Sequence, residues 1–436
     1  MPGQAPPVTI HRPTAFDLTR LITRLQHTSP SGIDRVDLAY ARFVLDGPGE
    51  SVGVVSTGFG PRVLDRAKAR DIVAAVEAGW VEDRAAGDDP AYRRLAARLG
   101  SAPVAEAGAA PERSGVSPAR RRLIQMRTVA RILAGSRPIM ALPRDSLYLH
   151  TSHLRLDSPG RFDWLYDRRD VRAAFFVHDV IPITHPEYGR AGEAGRHRER
   201  MRTVGRHAAA ILVNSADTAR RTLALFDGWR LPRPPVAIGH LGVEPAFGRE
   251  GPRLAPARPT FLVCGTIEAR KNHLLLFQLW RELAERHGAG APHLVVVGRR
   301  GWEAESAIDM LERCPGVREH VIEAPGLSTH GLAALMRSCT ALLMPSFTEG
   351  YGIPVVEAMA SGLPVVASDI PAHREIAGGL ALLRDPLDGP GWLAAIESFA
   401  TPDSPHRAEL AGHLAGYAPP TWDQHFAAVE PVLAAL

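Results

Sequence analysis

The chain has 436 residues, which is more than one hydrophobic core usually supports, so we expect two domains. With 45% hydrophobic and 22% charged residues, its composition is that of a globular protein and excludes a disordered or fibrous one. No run approaches the ~18 apolar residues of a membrane span, and the N-terminus lacks a secretory apolar core, so a cytoplasmic location is expected.

Charge and cysteine content exclude further classes. The three cysteines, Cys264, Cys314 and Cys339, show no metal-ligand spacing and are too few for a disulfide framework. A formal net charge of +4 gives weak support for anionic partners. The arginine-rich segments lack interleaved aromatic residues and a recognisable module, so we expect no nucleic acid partner.

The first predicted site feature is the sequence Ser-Pro-Ser-Gly before a helical pattern that runs from Ile33 to Val44. A glycine in a loop that opens a helix can approach a phosphate or a sugar closely. Ser31 and Gly32 are therefore candidate cleft residues, with a plain loop and helix cap as the alternative.

The next part of the chain offers two weaker features. Residues 85–118 are rich in Ala, Gly and Pro, which predicts an exposed insertion. The segment 119–137 has apolar residues at helical spacing and several arginines. Such a basic amphipathic helix can lie on an anionic membrane surface, although a solvated helix face is the alternative.

Two buried strands are predicted at 145–151 and 173–178, and the second leads into His178 and Asp179. A histidine at the carboxyl end of a strand in an α/β sheet lies where ligands generally bind. A core histidine that bonds to the backbone is the alternative. The strand after it, AAILVNS, has Ser215 at its tip.

Residues 248–259 are dense in Gly and Pro and form the best linker candidate. Beyond them the pattern alternates between predicted strands and helices, including a strand at 260–266 and a helix at about 272–287. This alternation predicts a doubly wound parallel sheet, and hence two α/β halves with a cleft between them. No Gly-x-Gly-x-x-Gly follows the first strand of either half, which disfavours a dinucleotide-dependent dehydrogenase.

The sequence PSFTEGYGIPVVEAMASGLPVVAS at 345–368 carries the clearest chemistry. Its proline and glycine positions predict a short helix at about 354–361, flanked by Glu349 on the preceding loop and including Glu357. A helix N-terminus suits an anion such as a diphosphate, and carboxylates accept hydrogen bonds from hydroxyl groups. Phosphate bound beside a polyol is the chemistry of a nucleotide sugar.

This stretch strongly resembles the signature of glycosyltransferase family 4, and similarity continues in SGIDRV, FFVHDVIP, ILVNSADTA and FLVCGTIEARKNH. The resemblance implies the GT-B architecture, in which two Rossmann-like domains face each other. It implies an acceptor domain at 1–247 and a donor domain at 248–415, with a helix at about 416–436 crossing back onto the first.

The resemblance also implies roles on the donor side. Glu357 would hydrogen-bond the donor ribose and Glu349 would face the hexose hydroxyls. Lys271 would neutralise the diphosphate. The family's arginine five residues earlier is replaced by Thr266, and Arg270 is the candidate for supplying the missing charge. The backbone would hold sugar and phosphate through four consecutive residues, Gly350, Tyr351, Gly352 and Ile353.

On the remaining sides of the cleft, the resemblance places Pro325, Gly326 and Leu327 along the nucleobase and His178 near the reacting sugar. The N-terminal loop at Gly32 would line the acceptor side. We count Ser31, Asp179 and Ser215 as further candidates on that side of the cleft.

The implied activity is metal-independent, retaining transfer of a hexose from a nucleotide sugar to a saccharide or lipid-linked saccharide. SGIDRV and FFVHDVIPITHPEY resemble bacterial mannosyltransferases of surface-polysaccharide assembly, so GDP-mannose is the first choice of donor. UDP- and dTDP-sugars stay open. The alternative is a catalytically inactive nucleotide-sugar-binding or scaffolding subunit, which the residue Thr266 alone supports.

Overall fold

The computed structural model describes residues 10, 12–25, 30–79, 85–100, 123, 127, 130, 131 and 134–436. Among them, the strands form two sheets, one from each half of the chain. The first sheet has the order β4-β3-β2-β1-β5-β6-β7-β8. Its strands are β1 Thr14–Asp17, β2 Ser51–Thr57, β3 Gly60–Leu64, β4 Arg137–Pro138, β5 Leu147–His150, β6 Arg172–Val177, β7 Ala208–Val213 and β8 Val236–Ile238.

The first sheet is parallel from β2 to β8, with a pair of antiparallel strands at one edge. The hairpin between β2 and β3 turns at Gly60, whose φ of 98° lies in the left-handed region that favours glycine. The sequence pattern did not indicate this edge. The strands that carry the expected site residues belong to the parallel part.

The second sheet has the order β11-β10-β9-β12-β13-β14, and every pair in it is parallel. Its strands are β9 Thr260–Cys264, β10 His293–Val297, β11 Val321–Glu323, β12 Ala341–Met344, β13 Val365–Ser368 and β14 Leu382–Arg384. Most of their residues are buried, as expected for strands covered by helices on both faces. The predicted pair of α/β units is confirmed.

The helices cover the sheets and supply the residues that meet in the cleft. In the first half they are Thr19–Arg24, Gly32–Asp46, Arg66–Gly79, Pro90–Arg98, Trp164–Asp167, Ile181–Thr184, Glu193–His207 and Ala216–Gly228. In the second half they are His273–His287, Glu305–Arg313, Pro315–His320, Thr329–Met336, Ile353–Ala360, Pro371–Ala377, Gly389–Ala400, Pro405–Leu414 and Trp422–Ala434. None of the described helices is both long and apolar enough to cross a bilayer.

The last helix, Trp422–Ala434, packs on the first half of the chain. The ring of Phe426 stacks on Phe43 with 4.0 Å between centroids. Tyr40 Oη and His425 Nε2 lie 2.8 Å apart in the same contact. The expected domain boundaries, at 247/248 and 415/416, stay a prediction.

The segment predicted as an exposed insertion is partly a packed element. The helix Pro90–Arg98 buries Tyr92 and Leu95 in the core. Asp89 caps this helix, and its Oδ2 also accepts a 2.7 Å hydrogen bond from the backbone N–H of Ser328 in the second half. Alanine-rich composition concealed the apolar face, so for residues 85–100 the prediction was wrong.

The basic segment 119–137 lies largely outside the described residues. Positions 123, 127, 130, 131 and 134–137 are the parts that the structure describes. Membrane contact through this segment therefore stays a prediction.

Truncating Phe426 tests the return of the last helix. We expect Phe426→Ala to lower the free energy of unfolding by about 3 kcal/mol, because a buried ring that stacks on Phe43 is removed and a cavity remains. Phe59→Ala is the matched control, since the Phe59 side chain is 95% exposed. Urea denaturation measures both, and equal midpoints for the two variants would contradict the packing.

Candidate active site

The site is organised by the loop 345–352, which connects β12 to the helix Ile353–Ala360. Pro354 occupies the first turn of this helix, where a missing N–H costs nothing. Gly352 precedes it with a φ of 106°, a conformation that side chains rarely adopt. The predicted helix is confirmed to within one residue, and its N-terminus faces the first half of the chain.

Glu349 is the most strongly bonded residue of this loop. Lys271 Nζ donates to its Oε1 at 2.5 Å, and Ser346 Oγ donates to the same oxygen at 2.8 Å. Arg270 Nη1 donates to Oε2 at 2.7 Å. Burial alone would raise the pKa of Glu349, but the charges of Arg270 and Lys271 outweigh it and hold the pKa well below its usual range. The carboxylate is therefore ionised at neutral pH.

Arg270 is shared between two carboxylates. Its Nε lies 2.7 Å from Glu268 Oε1, while its Nη1 holds Glu349. The short helical turn Ala269–Lys271 after β9 presents both cations to the loop. Two cations and two carboxylates thus form one network whose formal charges cancel. Thr266 lies half-buried between β9 and this turn and adds no charge.

Glu357 forms a second network, and its partner comes from the first half of the chain. Arg35 Nη1 donates to Glu357 Oε1 at 2.6 Å, across 322 positions of sequence. The carboxylate is 5% exposed. Arg35 is part of the motif SGIDRV, but the motif gave it no predicted role. Arg35 follows Gly32 by three residues and so lies on the same helix face, which is the one sequence feature that indicated its place in the cleft.

The two halves approach each other very closely at two glycines. A Cβ on Gly32 would lie 2.8 Å from Ile353 Cδ1. A Cβ on Gly350 would lie 2.6 Å from the carbonyl oxygen of His178 and 2.9 Å from Asp179 Cβ. At Gly350 the nearest atom belongs to backbone, so glycine is required there, whereas a Cβ on Gly32 would only have to displace the end of the Ile353 side chain.

Ser215 and Ser31 also hold structural positions at the cleft. Ser215 Oγ donates to the Gly350 carbonyl at 2.7 Å and caps its own helix. Ser31 forms a capping box with Asp34, because each side chain accepts from the other residue's backbone N–H. Ser31 is thus a helix cap, as in the alternative interpretation, whereas Gly32 lies against Ile353 of the second half and its approach to a phosphate or sugar stays a prediction.

His178 is buried at the carboxyl end of β6. Its Nε2 lies 2.7 Å from the Thr151 carbonyl oxygen, which can only accept, so Nε2 carries the hydrogen. Nδ1 is left as the acceptor of the ring. Burial lowers the pKa of His178 to about 4, and the ring is neutral at pH 7. The backbone bond expected of a core histidine is therefore present and fixes the tautomer, while a role of His178 in the site stays a prediction.

The predicted nucleobase loop borders an open cleft of about 730 Å³ at the ends of β10 and β11. Pro325 lines this cleft together with Gly298, Arg299 and Arg300. Gly326 is exposed, with a φ of 80°, and Leu327 is half-buried. The loop is therefore accessible from solvent, separate from the closed contact at Gly350.

Two further contacts between the halves were not predicted from the sequence. Glu375 accepts hydrogen bonds from the backbone N–H of Ala216 at 2.8 Å, at the start of the helix Ala216–Gly228. The rings of Tyr188 and Phe347 stack at 5.6 Å between centroids. Such pairs have no local sequence signal, because each member looks like an ordinary surface residue.

Comparisons with known proteins agree with this arrangement. The family model described as Glycosyl transferases group 1 matches residues 258–401. Serotype-specific mannosyltransferase WbdA of Escherichia coli is 31% identical over an alignment of 224 residues, with 47% of this chain and 27% of that protein covered. O-antigen chain mannosyltransferase B of Escherichia coli is 28% identical over 263 residues, covering 58% of this chain and 67% of that protein.

The chain therefore spans only about a quarter of the length of WbdA. Among solved structures, Anabaena Alr3699/HepE in complex with UDP and glucose has a TM-score of 0.62 at 14% identity, over 98% of this chain and all of that one. This likeness extends through both sheets. Residues 258–401 thus match the glycosyl transferases group 1 model, and the chain that contains them has the GT-B fold.

Proposed function

We propose that the protein is a retaining glycosyltransferase that moves a hexose from a nucleotide sugar to a saccharide or lipid-linked saccharide hydroxyl. One observation carries the proposal. The cationic pair Lys271 and Arg270, the helix N-terminus after Gly352, and His178 converge on one loop from both sides of the cleft. That set can bind a diphosphate, a sugar and an acceptor side by side.

The donor side of the cleft would bind and stabilise the leaving group. Lys271 and Arg270, which Glu349 holds in place, and the N–H groups at the start of Ile353–Ala360 would act as fixed positive groups beside the departing nucleoside diphosphate. Fixed cations reduce the need for a divalent ion. Metal-independent transfer is therefore part of the proposal.

The acceptor side would position the attacking hydroxyl. The bond from the sugar's C1 to the phosphate oxygen breaks, and a bond from C1 to the acceptor oxygen forms on the same face. The acceptor's proton passes to the leaving phosphate. His178 Nδ1 would accept a hydrogen bond from a hydroxyl at this centre, and contact between the halves would limit the access of water.

Neither glutamate is assigned as a nucleophile. Hydrolytic glycosidases use paired carboxylates on either side of the scissile bond. Glu349 is instead held by two cations and a hydroxyl, which weakens it as a nucleophile and fixes its position. The carboxylate keeps free lone pairs besides these bonds, so it could also accept hydrogen bonds from the hexose hydroxyls.

Mannose from GDP-mannose is the proposed donor, and surface-polysaccharide assembly the proposed process. Support comes from the E. coli relatives named mannosyltransferases. The structural neighbour that holds UDP keeps a uridine donor as the competing choice. The inactive binding or scaffolding subunit remains the second candidate, because Thr266 stands where the resemblance expects an arginine.

A thermal-shift panel of GDP-, UDP- and dTDP-sugars tests the donor. We expect GDP-mannose to give the largest rise in melting temperature, since a ligand at 100 times its Kd adds about 2.7 kcal/mol to the stability of the native state. Radiolabelled transfer to a mannose oligosaccharide then separates the enzyme from a binding subunit. A largest shift with a UDP- or dTDP-sugar would contradict the choice of donor.

Lys271→Ala tests the leaving-group site. We expect kcat/KM to fall about 10²- to 10³-fold, the usual cost of removing one fixed donor from a developing oxyanion. Lys68 is the only other lysine in the chain, and its side chain is 40% exposed on the first half. Lys68→Ala is therefore the matched control, and unchanged turnover in Lys271→Ala would contradict the assignment.

Chelation tests the metal-independent mechanism. We expect the initial rate to be the same with and without excess EDTA, because the proposed charge stabilisation comes from side chains and backbone. The assay compares dialysed protein with protein supplemented with Mg²⁺ or Mn²⁺. A strict requirement for either ion would contradict this part of the proposal.

A further inference from the structure

One cation of the first half reaches into the donor side of the cleft. Arg35 lies on the helix Gly32–Asp46, and its side chain is 17% exposed. Its guanidinium bonds Glu357 at 2.6 Å and approaches Thr329 Oγ1 at 3.4 Å. Both partners belong to the second half, on the helices Ile353–Ala360 and Thr329–Met336.

The position of Arg35 is fixed by the backbone around it. Gly32 rests against Ile353, and a residue three positions later lies on the same helix face. The capping box of Ser31 and Asp34 fixes the first turn, and the Arg35 N–H bonds the Ser31 carbonyl at 3.1 Å. The guanidinium is therefore presented to Glu357 by a rigid element.

Charge counting shows what this cation changes. Arg270 and Lys271 cancel Glu268 and Glu349, so their network has a formal charge of zero. Among the ion pairs of the described residues, Glu357 adds a third carboxylate to this network, which disfavours a diphosphate. Arg35 balances that carboxylate, so these described pairs contain three cations against three carboxylates.

We propose that Arg35 is a donor-positioning residue, which supplies from the first domain the positive charge that Thr266 does not provide. The inference rests on the proposed nucleotide-sugar site. Arg35 stays beside Glu357 when the donor binds, because a buried carboxylate without a counter-charge is costly. A carboxylate has about four lone-pair sites, so Glu357 can also accept bonds from ribose hydroxyls.

The competing arrangement is a latch, in which Arg35 occupies the ribose position and must leave before the donor binds. The two arrangements predict opposite changes in nucleotide affinity when Arg35 is removed. Removing a latch frees Glu357 and tightens nucleotide binding, whereas removing a positioning cation weakens it. The effect of a positioning cation also grows with the number of phosphates in the ligand.

Calorimetric titration distinguishes them, with GDP, GMP and guanosine as probes and the uridine and thymidine series in parallel. For the series that wild type binds most tightly, we expect Arg35→Ala to weaken diphosphate binding about 10- to 100-fold, the range of a hydrogen bond to a charged group. The nucleoside should change less than 3-fold. Arg35→Lys, which keeps the charge, should retain more affinity than Arg35→Gln, which replaces the variant if Arg35→Ala fails to fold.

Two further variants sharpen the result. Arg42→Ala on the same helix removes an ion pair with Glu77 that is 56% exposed at the arginine, and it should leave diphosphate affinity unchanged. Thr266→Arg combined with Arg35→Ala should recover part of the lost affinity, which a merely structural role of Arg35 would not allow.

The outcomes separate this inference from the proposed function. Unchanged or tighter diphosphate binding in Arg35→Ala overturns the inference alone, as does an equal loss for the diphosphate and the nucleoside. Failure of wild type to bind any of the three diphosphates overturns the proposed function and the inference with it.

Discussion

The buried carboxylate of Glu349 is the constraint on which the site depends. An isolated charge at this depth would be strongly unfavourable, so the loop can close only where Lys271 and Arg270 meet it. These bonds tie the turn after β9 to the loop after β12, two neighbouring strands of the second sheet. The helix N-terminus that follows the loop is thereby held at a fixed place beside the cations. Electrostatic stabilisation of a leaving group needs this preorganisation.

The contact between the halves is made by backbone as much as by side chains. At Gly350 the backbone of the opposing half lies where a Cβ would be, so this glycine is a steric requirement, and at Gly32 the end of the Ile353 side chain lies equally close. At Gly350 the loop backbone lies directly against the His178 carbonyl oxygen. The same geometry places carbonyl and N–H groups of one half within reach of the other, as Ser215 and Glu375 show. The lack of side chains at Gly32 and Gly350 thus allows the two halves to meet closely at the cleft.

Sequence patterns predicted the second half well because its signals are local. Apolar runs mark β9 to β13, and Pro354 marks the start of the site helix. The exposed-insertion prediction for residues 85–100 was wrong because an alanine-rich helix face resembles a loop in composition, although Tyr92 and Leu95 are buried there. Arg35 was missed for a different reason. Its partner lies 322 residues away, and no periodicity links the two.

Under the proposal for Arg35, a departure from the motif at Thr266 would be compensated from another part of the chain. Coulombic stabilisation depends on distance and burial, so at equal distance and burial a cation contributes equally whether it follows β9 or extends from a helix of the other half. The two placements differ in one respect. An arginine at position 266 would belong to the donor half and would stay near the site in any relative position of the halves. Arg35 balances the charge of Glu357 only when the two halves are in contact. In the proposed enzyme, charge balance on the donor side would therefore depend on contact between the halves, so diphosphate binding and the exclusion of water from the reacting centre would be linked.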